Sequence, residues 1–266
     1  MFKLGFIGCG NMGGALLRAA VKSVGGENIL AFDPDEEKLN ALSKETGVKK
    51  ATLEEVSCEA KYIFMGVKPQ IFRNVLSGIL PFLKQRSDKF ILVSMAAGVS
   101  ISAIKEIADN ISVIRIMPNT PASIGKGVIL VSPDETISEA ETKEFQAIMG
   151  NAGMTDVIPE SLIDAAGCVS GCGPAFVYMF IEAIADGGVL CGLPRDKALK
   201  YAAQTVCGAA QMVLSENKNP EELKDAVCSP GGTTIEGVRA LEKGRLRSSA
   251  QEAVIAAYEK TLKLKA

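Results

Sequence analysis

Strand-like and helix-like segments alternate along the first 160 residues of this 266-residue chain. Helix candidates lie near 12–24, 35–46, 69–84 and 100–108. Five strand candidates are rich in β-branched or aromatic residues and bounded by Gly, Pro or Asp: Lys3–Ile7, Ile29–Phe32, Tyr62–Met65, Phe90–Ser94 and Val113–Met117. Two further strand-like runs are Gly127–Val131 and Met154–Ile158. This alternation predicts an α/β fold with a doubly wound, mainly parallel sheet.

After Pro159 the pattern changes to alanine-rich, helix-forming segments. The predicted helices are 161–168, 174–190, 195–216, 220–227, 234–243 and 248–264. Ala175–Ile184 and Ala198–Leu214 are apolar nearly all round, and helices of that kind must be buried. A domain of about 105 residues cannot easily bury so many of them alone. We therefore predict that residues 161–266 form an all-helical dimerisation domain; the alternative is helices folded back on the sheet.

The chain contains no histidine. This absence excludes Ser-His and Cys-His nucleophilic catalysis and most zinc sites. It also removes the usual proton donor of dehydrogenases that act on hydroxy acids. The seven cysteines are scattered and odd in number, which favours a reducing compartment over a disulfide framework. We predict no metal site.

Charge and the N-terminal sequence bear on location and partners. The 29 basic and 31 acidic side chains give a net charge of −2, without the basic excess that is typical of proteins binding nucleic acids or membrane surfaces. The chain runs from Met1 straight into a strand candidate with no charged leader, and no single apolar run suffices to cross a bilayer. We therefore predict a cytoplasmic protein that binds neither nucleic acid nor membrane.

A glycine-rich turn, Gly8-Cys9-Gly10-Asn11-Met12-Gly13, joins the first predicted strand to the first predicted helix. In a Rossmann-type fold the first glycine permits the tight turn, the second lets the backbone approach a pyrophosphate, and the third allows close helix–strand packing. The phosphates then meet free amides at a helix N-terminus. Residues 1–160 are therefore predicted to be a Rossmann-type domain that binds NADPH or NADH; the alternative is a turn used only for packing.

Asp33 ends the second predicted strand, where such folds place an acidic residue that binds the adenosine ribose hydroxyls. The following residues, Pro34 to Glu37, include no arginine that would accept a 2′-phosphate. On physical grounds Asp33 therefore favours NADH. The alternative is an aspartate that only stabilises the turn before Pro34.

Two further segments follow predicted strands: Gly66-Val67-Lys68-Pro69-Gln70 and Ser94-Met95-Ala96-Ala97-Gly98. Because ligands of open α/β sheets bind beyond the carboxyl ends of the strands, we expect 67–69 and 96–98 to contact the nicotinamide half of the cofactor. Lys68 either faces a phosphate or the substrate, or is simply solvated. The loop Arg115–Pro121, stiffened by two prolines, either borders the active site or braces it.

The helical half contains its own glycine-rich helix start, Ser229-Pro230-Gly231-Gly232-Thr233-Thr234. Its glycines expose consecutive amides, and the hydroxyls of Thr233 and Thr234 lie beside them. This arrangement predicts a site for a small carboxylate. The alternative is an ordinary capped loop.

With these segments in view, the chain closely resembles the pyrroline-5-carboxylate reductase family over essentially its whole length. The stretch Cys228-Ser-Pro-Gly-Gly-Thr-Thr-Ile-Glu-Gly-Val-Arg-Ala-Leu-Glu242 is similar to that family's signature. The segments Val67–Pro69, Met117–Pro121 and Ser170–Pro174 are similar to its other marks, although Cys172 stands where a serine is often found.

The resemblance implies reduction of L-1-pyrroline-5-carboxylate to L-proline, the last step of proline biosynthesis. It also implies a homodimer, or a ring of dimers, built through the helical domain. By resemblance, Thr234 is the catalytic residue that meets the pyrroline nitrogen, and Glu160 contacts the same region. The implied substrate-binding residues are Ser229, Gly231, Gly232, Thr233, Thr234 and Glu160. Many members of the family favour NADPH, and the acidic Asp33 departs from members with a polar-basic pair at that position.

Reduction of a cyclic imine suits a chain without histidine. The imine is basic enough to arrive partly protonated, so a threonine hydroxyl or a held water suffices as proton donor. Two alternatives remain: a related imine or hydroxyacid reductase of similar architecture, and a non-enzymatic NAD(P)H-binding sensor. Hydroxyacid reductases of this architecture use a lysine within the helix that follows a glycine turn, and 175–182 contains no lysine.

Overall fold

The computed structural model describes residues 2–216 and 218–264. The chain divides into two compact units: the first holds the residues up to 172 together with those from 258 onward, and the second is Gly173–Ala257. The boundary thus follows helix α7 (Glu160–Ser170) instead of preceding it, because α7 packs on two strands of the sheet. The division at residue 160 stays a prediction about domains.

One mainly parallel sheet forms the first unit, as the alternating pattern predicted. Its strands are β1 (Phe2–Ile7), β2 (Ile29–Phe32), β3 (Lys49–Lys50), β4 (Ala60–Met65), β5 (Ile91–Ser94), β6 (Ser112–Pro118), β7 (Gly127–Pro133) and β8 (Gly153–Val157). They lie in the order β3-β2-β1-β4-β5-β6-β7-β8, and only the β6–β7 pair is antiparallel. Strand order therefore reverses at β1, and crevices at such reversals are where ligands of open α/β sheets bind.

Helices cover both faces of the sheet, and each face has its own apolar layer. The remaining helices of this unit are α1 (Asn11–Val24), α2 (Glu36–Thr46), α3 (Leu53–Glu59), α4 (Pro69–Leu83), α5 (Ile101–Lys105) and α6 (Glu139–Met149). One layer lies under α1, α2 and α6 and includes Leu16, Leu39 and Phe145. The other lies under α3, α4 and α5 and includes Phe72 and Leu76.

The sequence pattern missed α3 and α6, although each begins with a capping box. The Thr52 hydroxyl accepts a hydrogen bond from the Glu55 amide, and the Glu55 carboxylate accepts one from the Thr52 amide. Ser138 and Glu141 make the same reciprocal pair at the start of α6. This Ser/Thr-x-x-Glu spacing is a helix-start signal that would have revealed both helices.

The described residues of the second unit form helices and connecting loops without a strand, as predicted. Its helices are α8 (Gly173–Leu190), α9 (Arg195–Ser215), α10 (Pro220–Val227), α11 (Thr233–Lys243) and the larger part of α12 (Leu246–Leu264). Among its described residues, the buried members of the apolar cluster are Ala185, Ala198 and Ala202, with the partly buried Ile181 and Val189 packed against them. Large apolar side chains remain exposed instead, with Met179 70% and Leu190 90% exposed. Such a surface is typical of a subunit interface.

Helices α7 and α8 follow each other closely, and the 31-residue stretch Glu160–Leu190 is long and apolar enough, by length and composition alone, to cross a membrane. The sequence predicted no single apolar run of that length, and in the structure the turn at 171–172 divides the stretch into two helices. Ile163, Gly167 and Cys168 on α7 are buried in the first unit, which accounts for part of this apolar character.

Three glycines allow β1, β2 and β4 to end at one point. The Gly8 amide donates to the Phe32 carbonyl of β2, and the Gly66 amide donates to the Ile7 carbonyl of β1, both at 2.8 Å. Gly8 has a φ of +93°. A Cβ added at Gly13 would lie 2.2 Å from the Gly8 carbonyl oxygen, and one at Gly66 would lie 2.3 Å from it. Backbone packs directly against backbone here, so no side chain fits.

We expect Gly13→Ala to lower the free energy of unfolding by at least about 2 kcal/mol, because the new methyl group meets a backbone carbonyl that cannot move aside. The matched control is Gly78→Ala on the exposed face of helix α4, where an added Cβ meets nothing within 4 Å. That substitution should raise the free energy of unfolding by about 0.4–1 kcal/mol. Urea denaturation of the two variants measures both effects, and a Gly13→Ala protein as stable as the parent would contradict the packing.

Candidate active site

The N-terminus of α1 opens directly from the glycine turn. Gly10 is the residue before the helix, and no side chain caps the first amides, those of Asn11, Met12 and Gly13. A Cβ added at Gly10 would meet nothing within 4 Å, so the space in front of these amides is open. Free amides, a helix dipole and an open approach together fit the pyrophosphate of a dinucleotide.

Cys9 contributes its backbone to this turn and not its thiol. The side chain is 4% exposed, and burial together with the nearby Asp33 carboxylate raises the pKa of the Cys9 thiol to about 12. The thiol therefore stays protonated and unreactive at neutral pH.

Asp33 links the end of β2 to the glycine turn. Its Oδ2 accepts a hydrogen bond from the Cys9 amide at 2.7 Å, and its Oδ1 accepts one from the Asp35 amide at 3.0 Å. The side chain is 8% exposed. The turn-stabilising role that the sequence left open is therefore real, and each carboxylate oxygen retains a lone pair for a second donor. Ribose binding by Asp33 stays a prediction.

The segments after β4 and β5 differ in how far they reach the surface. Val67 is half-buried, Lys68 is the exposed residue before α4, and Pro69 is the first residue of that helix. After β5, Ala96 is buried in the apolar layer, whereas Ala97 is exposed and Gly98 has a φ of +77°. Of the two alanines, only Ala97 has an accessible surface to offer a nicotinamide ring.

Glu160 lies at the start of α7, where its carboxylate is already engaged. Its Oε1 accepts from the Ile101 amide at 2.8 Å and from Arg115 Nη1 at 3.1 Å. Arg115 is 1% exposed, and its Nη2 donates to Asp164 at 2.7 Å. These contacts join β6, α5 and α7. The structure thus shows Glu160 bracing the first unit, and its contact with the substrate stays a prediction.

The loop after β6 also braces the fold. Asn119 is 7% exposed; its side-chain amide donates to the Ser170 carbonyl at 2.8 Å and accepts from the Val128 amide at 2.8 Å. Of the two roles that the sequence left open for Arg115–Pro121, these hydrogen bonds favour bracing.

The glycine-rich start of α11 is the corresponding feature of the second unit. The Gly232 amide donates to the Ser229 carbonyl at 3.0 Å, and Gly231 has a φ of +68°, so the chain turns sharply into the helix. No side chain caps α11, whose first two residues are Thr233 and Thr234. Both residues are exposed, as a carboxylate-binding helix start requires.

Among the described residues, no group of three or more Cys, Asp or Glu side chains could hold a metal ion.

Comparison with known proteins gives two family models and a set of full-length relatives. Residues 160–264 match the model described as pyrroline-5-carboxylate reductase dimerisation, and residues 3–98 match the model described as NADP oxidoreductase, coenzyme F420-dependent. Pyrroline-5-carboxylate reductase from Escherichia coli is 43% identical, with 98% of each chain covered. The enzyme of that name from Methanosarcina acetivorans is 39% identical, over 98% of this chain and 97% of its own.

Solved structures of proteins with the same family name are also similar to this chain. Pyrroline carboxylate reductase from Plasmodium falciparum with NADP bound is 32% identical and superposes with a TM-score of 0.88, covering 100% of this chain and 98% of its own. The Coxiella burnetii pyrroline-5-carboxylate reductase is 27% identical, with a TM-score of 0.91 and coverage of 100% and 99%. The residues that match the dimerisation model include the apolar stretch of α7 and α8. The chain is an NAD(P)H-dependent oxidoreductase that self-associates, and it belongs to the pyrroline-5-carboxylate reductase family.

Proposed function

We propose that this protein reduces L-1-pyrroline-5-carboxylate to L-proline with NADPH or NADH, as the last step of proline biosynthesis. Full-length relatives of that name, up to 43% identical, support the proposal. The main support for the proposal from the structure itself is the uncapped start of α11, whose first two residues are exposed threonines. A dinucleotide-binding protein that only senses its cofactor has no need of this second anion site.

The start of α11 supplies both charge and hydrogen bonds to the substrate. The amides of Thr233 and Thr234 bind the carboxylate at the positive end of the helix dipole. Ser229, Gly231 and Gly232 form the wall of the same turn. With the carboxylate fixed, the imine of the five-membered ring has one position, and its nitrogen lies beside the Thr234 hydroxyl.

The bound dinucleotide supplies a hydride to the imine carbon. The protein's own tasks are to orient the ring and to manage the proton at nitrogen. The Thr234 hydroxyl donates a hydrogen bond to that nitrogen, or holds the water that does so, and no imidazole is required. Most of the rate acceleration then comes from alignment of the two reactants.

One assay separates this reaction from the alternatives. The protein is incubated with pyrroline-5-carboxylate and with NADH or NADPH while nicotinamide absorbance is followed. The proposal requires oxidation of the cofactor together with formation of proline. Turnover of a keto acid instead would indicate a hydroxyacid reductase, and no oxidation of either cofactor would indicate a sensor.

Replacement of the Thr234 hydroxyl tests its role at the imine nitrogen. We expect Thr234→Val to lower kcat/KM by more than about tenfold, which corresponds to the ~1.4 kcal/mol of one good hydrogen bond. Thr234→Ser keeps the hydroxyl and should retain most of the activity. Thr233→Val is the matched control, because it removes a neighbouring hydroxyl and keeps the amide that binds the carboxylate. Equal kcat/KM for the Thr234→Val variant and the parent would refute the role.

The proposed assembly is a homodimer, or a ring of dimers, built through the second unit, in the cytoplasm and without nucleic acid or membrane as a partner. An apolar groove in that unit supports it: Phe176, Met179 and Phe180 of α8 line the groove together with Leu246 and Ala250 of α12. Such a groove has the composition of a subunit contact and not of a solvated surface.

A charge in this groove tests the assembly. We expect Met179→Glu to shift the protein from an oligomer to a monomer in size-exclusion chromatography with light scattering, because a buried unpaired carboxylate is costly. Met179→Leu preserves volume and polarity and should leave the mass unchanged. If the glutamate variant kept the parent's mass, the groove would lie outside the subunit contact.

A further inference from the structure

A cavity of about 330 Å³ lies beyond the carboxyl end of β2, beside the glycine turn. Phe32, Leu39 and Ala51 give it an apolar part, which fits a flat aromatic base. The hydrogen bond from the Cys9 amide to Asp33 joins this cavity to the pyrophosphate site, since Asp33 lines one and Cys9 belongs to the other. The cavity therefore lies where the adenosine end of a dinucleotide held on the turn would enter.

Three carboxylates line the cavity, and they come from three different elements. Asp33 follows β2, Glu36 begins α2 and Glu55 lies in the first turn of α3. Asp33 is held by two backbone amides, at 2.7 and 3.0 Å, and cannot swing away from a bound ligand. The Glu55 carboxylate accepts from the Thr52 amide at 2.7 Å. That hydrogen bond lowers the pKa of Glu55, which is therefore ionised at neutral pH.

Lys50 is the cation that lines this cavity, and its ammonium group donates to the Asn40 side chain at 2.7 Å. Lys38 on α2 pairs with Asp35 at 3.3 Å. Arg18 on α1 makes two hydrogen bonds of 2.7 Å to Glu45. The cations of this region thus have partners already, and the cavity presents three negative charges against one positive charge.

We propose that Asp33, Glu36 and Glu55 make this protein select NADH over NADPH. A phosphate on the ribose 2′-oxygen carries up to two negative charges at neutral pH and would enter the acidic cavity, whereas free ribose hydroxyls can donate hydrogen bonds to the same carboxylates. The inference rests on the proposed function. In its cofactor, this chain would then differ from its Plasmodium falciparum relative, whose structure has NADP bound.

Direct binding tests the proposal without turnover. The dissociation constants of NADH and NADPH are measured for the whole protein from the change in nicotinamide fluorescence. We expect NADPH to bind at least about tenfold more weakly, from the repulsion of one or more like charges at short range. The ratio of the two constants should shrink as salt is raised from 0.05 to 0.5 M, about the range over which screening becomes strong.

A matched pair of substitutions assigns the effect to the cavity. Glu36 lines the cavity, and its neighbour Glu37, also exposed on α2, does not. Glu36→Gln should lower the NADPH-to-NADH ratio of dissociation constants several-fold, and Glu37→Gln should change it by less than about twofold. Asp33→Asn should lower it further. Because both glutamates are exposed, their variants remain informative even if the Asp33 variant fails to fold.

Two results would overturn the inference: NADPH binding as tightly as NADH to the parent protein, or equal effects of Glu36→Gln and Glu37→Gln. Failure of the proposed function is a different outcome. In that case the binding ratio holds while pyrroline-5-carboxylate is not reduced with either cofactor.

Discussion

The contact between the Gly8 carbonyl and the backbones of Gly13 and Gly66 sets the geometry of the first unit. A side chain at either glycine would lie within 2.3 Å of that oxygen. Because the three backbones touch, α1 starts immediately behind β1, and β4 ends beside it. The uncapped start of α1 consequently lies next to β1, where the strand order reverses. Cofactor binding in this protein thus depends first on this close packing of backbones, and only then on charged side chains.

Backbone groups and side chains make different electrostatic contributions in this protein. Two uncapped helix starts, at α1 and α11, present amides and positive dipole ends, which in the proposed function bind the pyrophosphate and a carboxylate. Carboxylate side chains lie instead around the cavity lined by Asp33, Glu36 and Glu55. In the proposals made above, backbone amides bind the anionic groups of the ligands and these carboxylates bind the sugar hydroxyls. An imine substrate fits this arrangement because its nitrogen needs only a weak donor, and the chain has no histidine to provide a stronger one.

The sequence predicted what depends on local patterns. The glycine turn, the mainly parallel sheet and the helical second half follow from spacing and periodicity, and the structure confirms them. The short helix α3 and the two-residue strand β3 were not predicted, because neither is long enough to display a hydrophobic period. Glu36, Glu55 and Lys50 belong to α2, α3 and β3, so only the folded chain shows that they share a cavity.

Glu160 shows what a family resemblance cannot predict about a site residue. Family resemblance implies that it contacts the substrate, yet its carboxylate is hydrogen-bonded to Ile101 and Arg115. A motif gives the position of a residue in the chain and not the partners that already occupy its side chain. The buried pairing of Arg115 with Glu160 and Asp164 required knowledge that β6 and α7 pack together. No periodicity in the sequence reports that contact.

The most direct test of the account follows the hydride itself. The protein is supplied with pyrroline-5-carboxylate and with NADH carrying deuterium at both C4 positions of the nicotinamide ring, and the proline formed is examined by NMR and mass spectrometry. The account predicts one deuterium per proline, located on the ring carbon that was the imine carbon. Unlabelled proline, label at another carbon, or no proline at all would contradict it.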